Sequence, residues 1–243
     1  MNYSFLQCGE GALTVHLRDG IDPAINRRVT ALQGAIGSAG LRGITDLIPA
    51  YADLTVCYDC TVISAKALQR QLRRLLDSLS VAGQDRRRVF QLPVCYGGDY
   101  GPDLDFVCHH SGLSAQEVIA LHSQPDYLIY MLGFLPGFAY LGGLDPRLHT
   151  PRLDSPRTCI PAGSVGIGGA QTGVYPLASP GGWQLLGRTP VSVFDRQRQE
   201  PILYRAGDLV HFVPISPAEY EEIVRAVAAG TYTVQVEEVP VCD

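Results

Sequence analysis

The sequence predicts a two-domain α+β protein: a ferredoxin-like α+β domain over residues 1–85, a β-barrel domain over 89–215, and a helix and strand over 216–243. Three observations carry this. The first part of the chain reads strand, helix, strand, strand, helix, followed by a further strand from Val89, which is the ferredoxin-like order. Residues 127–214 carry short apolar runs broken by Gly and Pro every few residues, which leaves no room for a long helix. Between the two parts, V-A-G-Q-D-R-R-R at 81–88 is polar and charged, and the domain boundary is placed there.

The elements follow in order. Residues 12–17 (A-L-T-V-H-L) alternate as a half-buried strand does. Asp22 and Pro23 open a helix, Asp as N-cap and Pro in the first turn, where its missing N–H costs nothing. Ile25, Val29, Leu32 and Ile36 form its apolar stripe, and Gly37 and Gly40 stop it. Residues 44–48 and 54–58 read as two strands. Ser64 caps a second helix whose buried stripe is Leu68, Leu72, Leu75, Leu76 and Leu79. Its other face carries Lys66, Arg70, Arg73 and Arg74, read as a solvated face in preference to a docking surface.

A strand over 89–94 ends at Pro93. A short helix through Leu104, Val107 and Cys108 ends near Gly112, and Ser114 with Glu117 forms a capping box for another. Strands are expected at 164–167, 172–175, 183–186 and 191–194. Ser216, Pro217 and Glu219 start a helix running to Gly230, and 232–236 alternates as a closing strand.

The 243 residues are 46% hydrophobic with a net charge of −5, which describes a globular chain and argues against nucleic acid as a bulk partner. The N-terminus, M-N-Y-S-F-L-Q-C, lacks the pattern of a signal peptide, and no segment is long and apolar enough to span a bilayer. A cytoplasmic setting is expected, with the seven cysteines reduced.

Several motifs look chemical and read better as structure. Ala162-Gly163-Ser164-Val165-Gly166 resembles a relaxed nucleophile elbow, but strand and turn follow Ser164 where a helix is needed. Gly166-Ile167-Gly168 lacks the helix that would offer its N-terminus to a pyrophosphate, and no Walker A sequence occurs. Cys57 and Cys60 have redox or zinc spacing without a second Cys/His pair. Cys108, His109 and His110 point in different directions on a short helix. No metal is assigned.

His149, Arg152 and Arg157 fall in a Pro-rich loop where long cationic side chains have little core to serve. Arg offers paired donors matched to a carboxylate, and His exchanges protons near neutral pH. Gln171 and Thr172 are able to orient an amide, and Arg188 is a further cation in the same region. Phe134 and Phe138 flank Pro136-Gly137, where they either line a pocket or cover the barrel end. Trp183 reads as a core anchor.

The stretch 130–194 is similar to a known family. Gly133-Phe134-Leu135-Pro136-Gly137-Phe138, Leu141-Gly142-Gly143-Leu144, Thr150-Pro151-Arg152, Pro161-Ala162-Gly163-Ser164-Val165-Gly166, Gln171-Thr172-Gly173 and Ser179-Pro180-Gly181-Gly182-Trp183-Gln184-Leu185 resemble the PxpB/KipI family. That family takes in the B subunit of prokaryotic ATP-dependent 5-oxoprolinase, the first subunit of allophanate hydrolase and the KipI-type kinase inhibitors. The resemblance extends back through 93–98 and forward to Gly207-Asp208 and 212–214. Cys159 departs from it, since many relatives carry a basic or branched residue there.

The resemblance implies that the barrel is cyclophilin-like. It also implies a role in opening 5-oxo-L-proline to L-glutamate with ATP hydrolysis by a complex. The implied partners are the C subunit of 5-oxoprolinase, which is biotin-dependent carboxyltransferase-like, and the A subunit, which is LamB/YcsF-like. His149 and Arg152 would then be the catalytic candidates, and Phe134, Phe138, Arg157, Gln171, Thr172 and Arg188 the substrate-binding ones. The alternatives are inhibition of a sensor histidine kinase and a part in allophanate hydrolysis or a urea amidolyase.

Overall fold

The computed structural model describes residues 3–80 and 86–240, and its contacts divide the chain into two compact units, Met1–Gln84 and Asp85–Asp243. The boundary expected at 81–88 falls for 81–85 outside the described residues.

The first unit contains β1 (Ser4–Cys8), β2 (Ala12–His16), α1 (Pro23–Ala39), β3 (Ile44–Pro49), β4 (Asp53–Tyr58) and α2 (Ala65–Asp77). The four strands form one antiparallel sheet in the order β1-β2-β4-β3. Local chemistry sets both helices. The Asp22 carboxylate accepts from the Ala24 N–H, and Gly40 ends α1 in the left-handed region at φ 55°. The Ser64 hydroxyl accepts from the Ala67 N–H at the start of α2. Ile25, Val29, Leu32 and Ile36 of α1 and Leu68, Leu72 and Leu76 of α2 bury together against Leu13, Val15, Leu54 and Val56 of the sheet.

Two features of this unit differ from the sequence reading. Residues 4–8 form a strand paired along its length with β2, although four of its five residues are exposed and leave no alternating pattern to read. The strand from Val89, expected to close the pattern, joins the second unit instead. The edge beside β2 is therefore taken by β1.

The second unit contains β5 (Arg86–Tyr96), α3 (Leu104–Ser111), α4 (Ala115–Ser123), β6 (Asp126–Leu132), β7 (Ala139–Gly142), a single 3-10 turn (Pro146–Leu148), β8 (Arg157–Ile160), β9 (Ser164–Gly168), β10 (Gln171–Val174), β11 (Ser179–Gly181), β12 (Gln184–Arg188), β13 (Leu209–Ile215), α5 (Pro217–Ala228) and β14 (Val236–Pro240). Seven strands, in the order β12-β9-β10-β7-β6-β13-β5, close on themselves through a β12–β5 pairing, and β14 lies along β5. The molecule is thus a closed seven-stranded barrel joined in sequence to an α+β unit. Closure removes the free edges that an open sheet of this size would expose.

The barrel interior is packed with side chains, including Leu92, Val94, Ile129, Leu141, Val165, Ile167, Val174, Leu186 and Phe212. β5 runs past Pro93 to Tyr96. The Gln91 N–H bonds to Gln235 O, so the nitrogen of Pro93 faces the same side. There β14 pairs only as far as Phe90 and β12 begins at Cys95. Pro93 falls in that gap, where no ladder bond is asked of it.

Residues 191–194 do not form the expected strand and make a single bridge, Phe194 with Ile202. Val191 and Val193 are buried all the same, so their apolar character reports the core and not extended pairing. The closing strand begins at Val236, after the alternating run at 232–236.

Candidate functional site

The pairing of β9 with β10 and β12 sorts their side chains to two sides. Val165, Ile167 and Val174 point into the barrel core. Ser164, Gly166, Gly168 and Gly173 lie on the opposite side, together with Arg188, which pairs with Ser164 across the ladder. The glycines make room for an aromatic layer. A Cβ on Gly168 would stand 2.3 Å from Trp183 Nε1, and one on Gly173 would stand 3.2 Å from the same ring. Trp183 packs into this bed.

Phe138 is the hub of the layer. It makes edge contacts with Phe134, Tyr140, Tyr175 and Trp183 at centroid separations of 5.5, 5.2, 5.6 and 5.6 Å. It is buried, whereas Phe134 is 63% exposed. Phe134 also has φ 64°, which no other non-glycine shows among the described residues. An aromatic residue held in the left-handed region, mostly in solvent apart from its edge contact with Phe138, carries backbone strain, and such strain clusters at functional sites.

The T-P-R segment is tied to the turn between β9 and β10, two residues before Q-T-G. The Thr150 N–H donates to Gly169 O at 3.3 Å and the Gly169 N–H returns to Thr150 O at 2.8 Å. The Leu153 N–H bonds Gly182 O, and the Gln184 side chain donates to Pro151 O. These bonds pin the loop across the mouth of β9 and β10 and set the exposed Arg152 guanidinium 5.9 Å from the Trp183 ring centre. Gln171 pairs with Gly168 at the same end. His149 is exposed beside Asp145. Asp145 is engaged by both the side chain and the backbone N–H of Arg147, which lower its pKa to about 2.

The remaining predicted residues are not on that surface. Thr172 is fully buried on the core side. Its hydroxyl donates to Gly166 O at 3.0 Å, and it therefore accepts from His122 Nε2 at 2.7 Å. That leaves Nδ1 of His122 to accept from the Tyr96 hydroxyl at 2.8 Å. Burial holds this histidine neutral, with its pKa lowered to about 3, and pushes the Tyr96 phenol upward. Arg157 is a strut. Its Nη2 donates to Asp103 Oδ1 at 2.6 Å and its Nη1 to Trp183 O, while Asp103 Oδ2 accepts the Leu185 N–H. Arg188 sits at the far end of β9, roughly 13 Å from Gly168 by strand rise.

Sequence reasoning missed Asp103, His122 and Tyr96. Each acts through a partner distant in the chain, and nothing in its local pattern marks it. Among the described residues no group of three or more His, Cys, Asp or Glu is placed to hold a metal, and the six described cysteines are free. No helix is long and apolar enough to cross a membrane among the described residues. Gly166 and Gly168 lie within β9 and run on into β10, so they present no helix N-terminus to a nucleotide phosphate.

A family model for the carboxyltransferase domain, subdomains C and D, matches residues 3–204. The chain is 41% identical to the 5-oxoprolinase B subunit of Bacillus subtilis (strain 168) over 230 residues, covering 90% of this chain and 96% of that protein. The chain belongs to the 5-oxoprolinase B-subunit family. Against solved structures this family member matches TTHA0988 with a TM-score of 0.74 at 40% identity, over 84% of its own length. It spans 40% of that longer chain. The urea carboxylase of Kluyveromyces lactis aligns with a TM-score of 0.82 over 98% of the present chain and 24% of its own, at 23% identity, which is a likeness of fold.

Proposed function

We propose that this chain is the B subunit of a 5-oxoprolinase complex that opens 5-oxo-L-proline to L-glutamate at the expense of ATP. The observation that carries the reading is near full-length identity of 41% with a 5-oxoprolinase B subunit, with coverage of 96% of that protein. The partners in this reading are a biotin-dependent carboxyltransferase-like C subunit and a LamB/YcsF-like A subunit.

The described residues do not fit an ordinary phosphate-binding loop, so no step is assigned to ATP on this chain. His149, Arg152 and Gln171, with exposed Phe134 on the aromatic layer, are the surface assigned to the reacting amide and the partner. Arg152 has no carboxylate partner among the described residues, which leaves its fork of donors available. Phe138, Arg157 and Thr172 support that surface from behind. Two finer assignments go with this reading. The first unit is a ferredoxin-like domain with β1 in place of the usual last strand, and the barrel is cyclophilin-like.

Complementation tests the proposal. A bacterium deleted for its own 5-oxoprolinase B subunit should regain growth on 5-oxoproline as sole nitrogen source when it expresses this chain. Failure to grow, with the protein present and folded, would overturn the assignment.

A further inference from the structure

Two buried polar atoms on facing positions of β9 and β12 have no hydrogen-bond partner among the described residues: Ser164 Oγ and Arg188 Nε. Leaving such groups buried and unpaired is destabilising, and more so where one is charged. Arg188 makes no ion pair among the described residues, and its guanidinium lies against the hydroxyl of Tyr220 on α5.

A cavity of about 180 Å³ lies one residue along both strands, and neither Ser164 nor Arg188 lines it directly. Gly163 and Thr189, the chain neighbours of Ser164 and Arg188, line it, as do Tyr175, Pro190 and Val193. Tyr220 lines it too, so one side chain both covers Arg188 and walls the cavity. The turn is built for close approach: Gly163 has φ 80°, and a Cβ there would stand 2.4 Å from Thr189 O. α5, which carries the covering tyrosine, contains no fully buried residue.

We propose that Ser164 and Arg188 form the polar end of a pocket for a small carboxylic acid, with Tyr220 as its lid. Movement of the phenol opens Arg188 to the cavity. The carboxylate then takes the planar donor edge of Arg188 and the Ser164 hydroxyl, while the proline, valine and tyrosine wall receives the organic body. The volume is below the roughly 300–1,000 Å³ of drug-sized sites, so only a ligand of about ten heavy atoms or fewer fits. A phosphate dianion would bring a second negative charge that the single guanidinium does not balance. The pocket lies apart from the Arg152 surface, and binding there does not depend on turnover by the complex.

Isothermal titration of the full chain tests this with 5-oxo-L-proline, L-glutamate, 5-oxo-L-prolinamide and inorganic phosphate. Saturable binding of at least one of the two acids is expected, and the tighter one identifies the source of the carboxylate. The amide and phosphate should bind at least about tenfold more weakly. Arg188→Gln should lose the acid by a similar factor, and Ser164→Ala should lose several-fold with no fall in the melting midpoint. Tyr220→Phe, which frees the guanidinium, should tighten binding. Absence of saturable binding of either acid at millimolar concentration would overturn the proposal. Equal binding of acid and amide, or an unchanged affinity in Ser164→Ala, would do the same, and the serine variant decides should Arg188→Gln fail to fold.

Discussion

His122 Nε2 donates to the Thr172 hydroxyl across 2.7 Å, inside a barrel that hides both residues from solvent. The bond continues a chain from the Tyr96 hydroxyl to the Gly166 carbonyl in which every donor has an acceptor. A second proton on His122 would have to enter at Nδ1, where Tyr96 already donates. The folded pKa of about 3 lies below the ordinary 6.5. The unfolded chain thus binds the proton first, and stability falls as pH drops from about 6.5 toward 3, by up to about 1.4 kcal/mol per pH unit. Chemical denaturation at pH 7 and pH 5 should show this slope, and it should flatten in His122→Gln. Thr172→Val should cost about 1–3 kcal/mol by stranding the His122 donor.

Arg157 bridges Asp103 to the backbone of Trp183, while Asp103 also holds the Leu185 N–H. The Arg157 side chain is 30% exposed against 12% for Asp103, so removal should cost at most the low end of a buried pair, about 3 kcal/mol. Arg157→Met should therefore lower the melting midpoint, with activity of the assembled complex falling only as folded protein is lost. A loss of activity at an unchanged midpoint would give Arg157 a part in binding instead.

Phe134 combines φ 64° with 63% exposure. Replacing it with glycine removes a left-handed penalty of roughly 1–2 kcal/mol while giving up little packing. Phe134→Gly should leave the isolated chain as stable or more so, yet weaken co-elution with the carboxyltransferase-like partner on size exclusion. Unchanged co-elution would release Phe134 from the interface.

Arg152 stacks over Trp183 from an exposed position, a contact worth about 0.5–1 kcal/mol. Arg152→Ala should barely move the melting midpoint. If the guanidinium meets substrate charge in the complex, catalytic efficiency should fall by an amount corresponding to about 2–5 kcal/mol. Full activity with an unchanged midpoint would dismiss it from either role.

Much of the framework is legible in the sequence because local chemistry fixes it. Asp22, Ser64, Ser114 and Ser216 each cap the helix that the pattern has them open. The apolar stripe of α1 is buried, as are Leu68, Leu72 and Leu76 of α2, while Leu75 and Leu79 are only partly so and Leu79 lies past the end of the helix. Thr150 of T-P-R bridges to Gly169, in the turn just before Q-T-G. What escapes depends on distant partners. Thr172 reads as available for an amide, but alternation along β10 turns it to the core, where a histidine fifty positions earlier in the chain claims it. The 191–194 run is apolar because it is buried, and burial alone does not make a strand. The destination of the strand from Val89 is set by its pairing with β13 over seven residues, a contact that no local pattern reveals.

The central claim is that this chain works as one component of a 5-oxoprolinase. The direct measurement is release of L-glutamate and inorganic phosphate from 5-oxo-L-proline and ATP, by the chain alone and after mixing with the purified LamB/YcsF-like and carboxyltransferase-like partners. The isolated chain should release neither product, and the mixture should release both in step and only when this chain is present. Turnover by the chain alone, or full activity of the two partners without it, would show that this chain is not such a component.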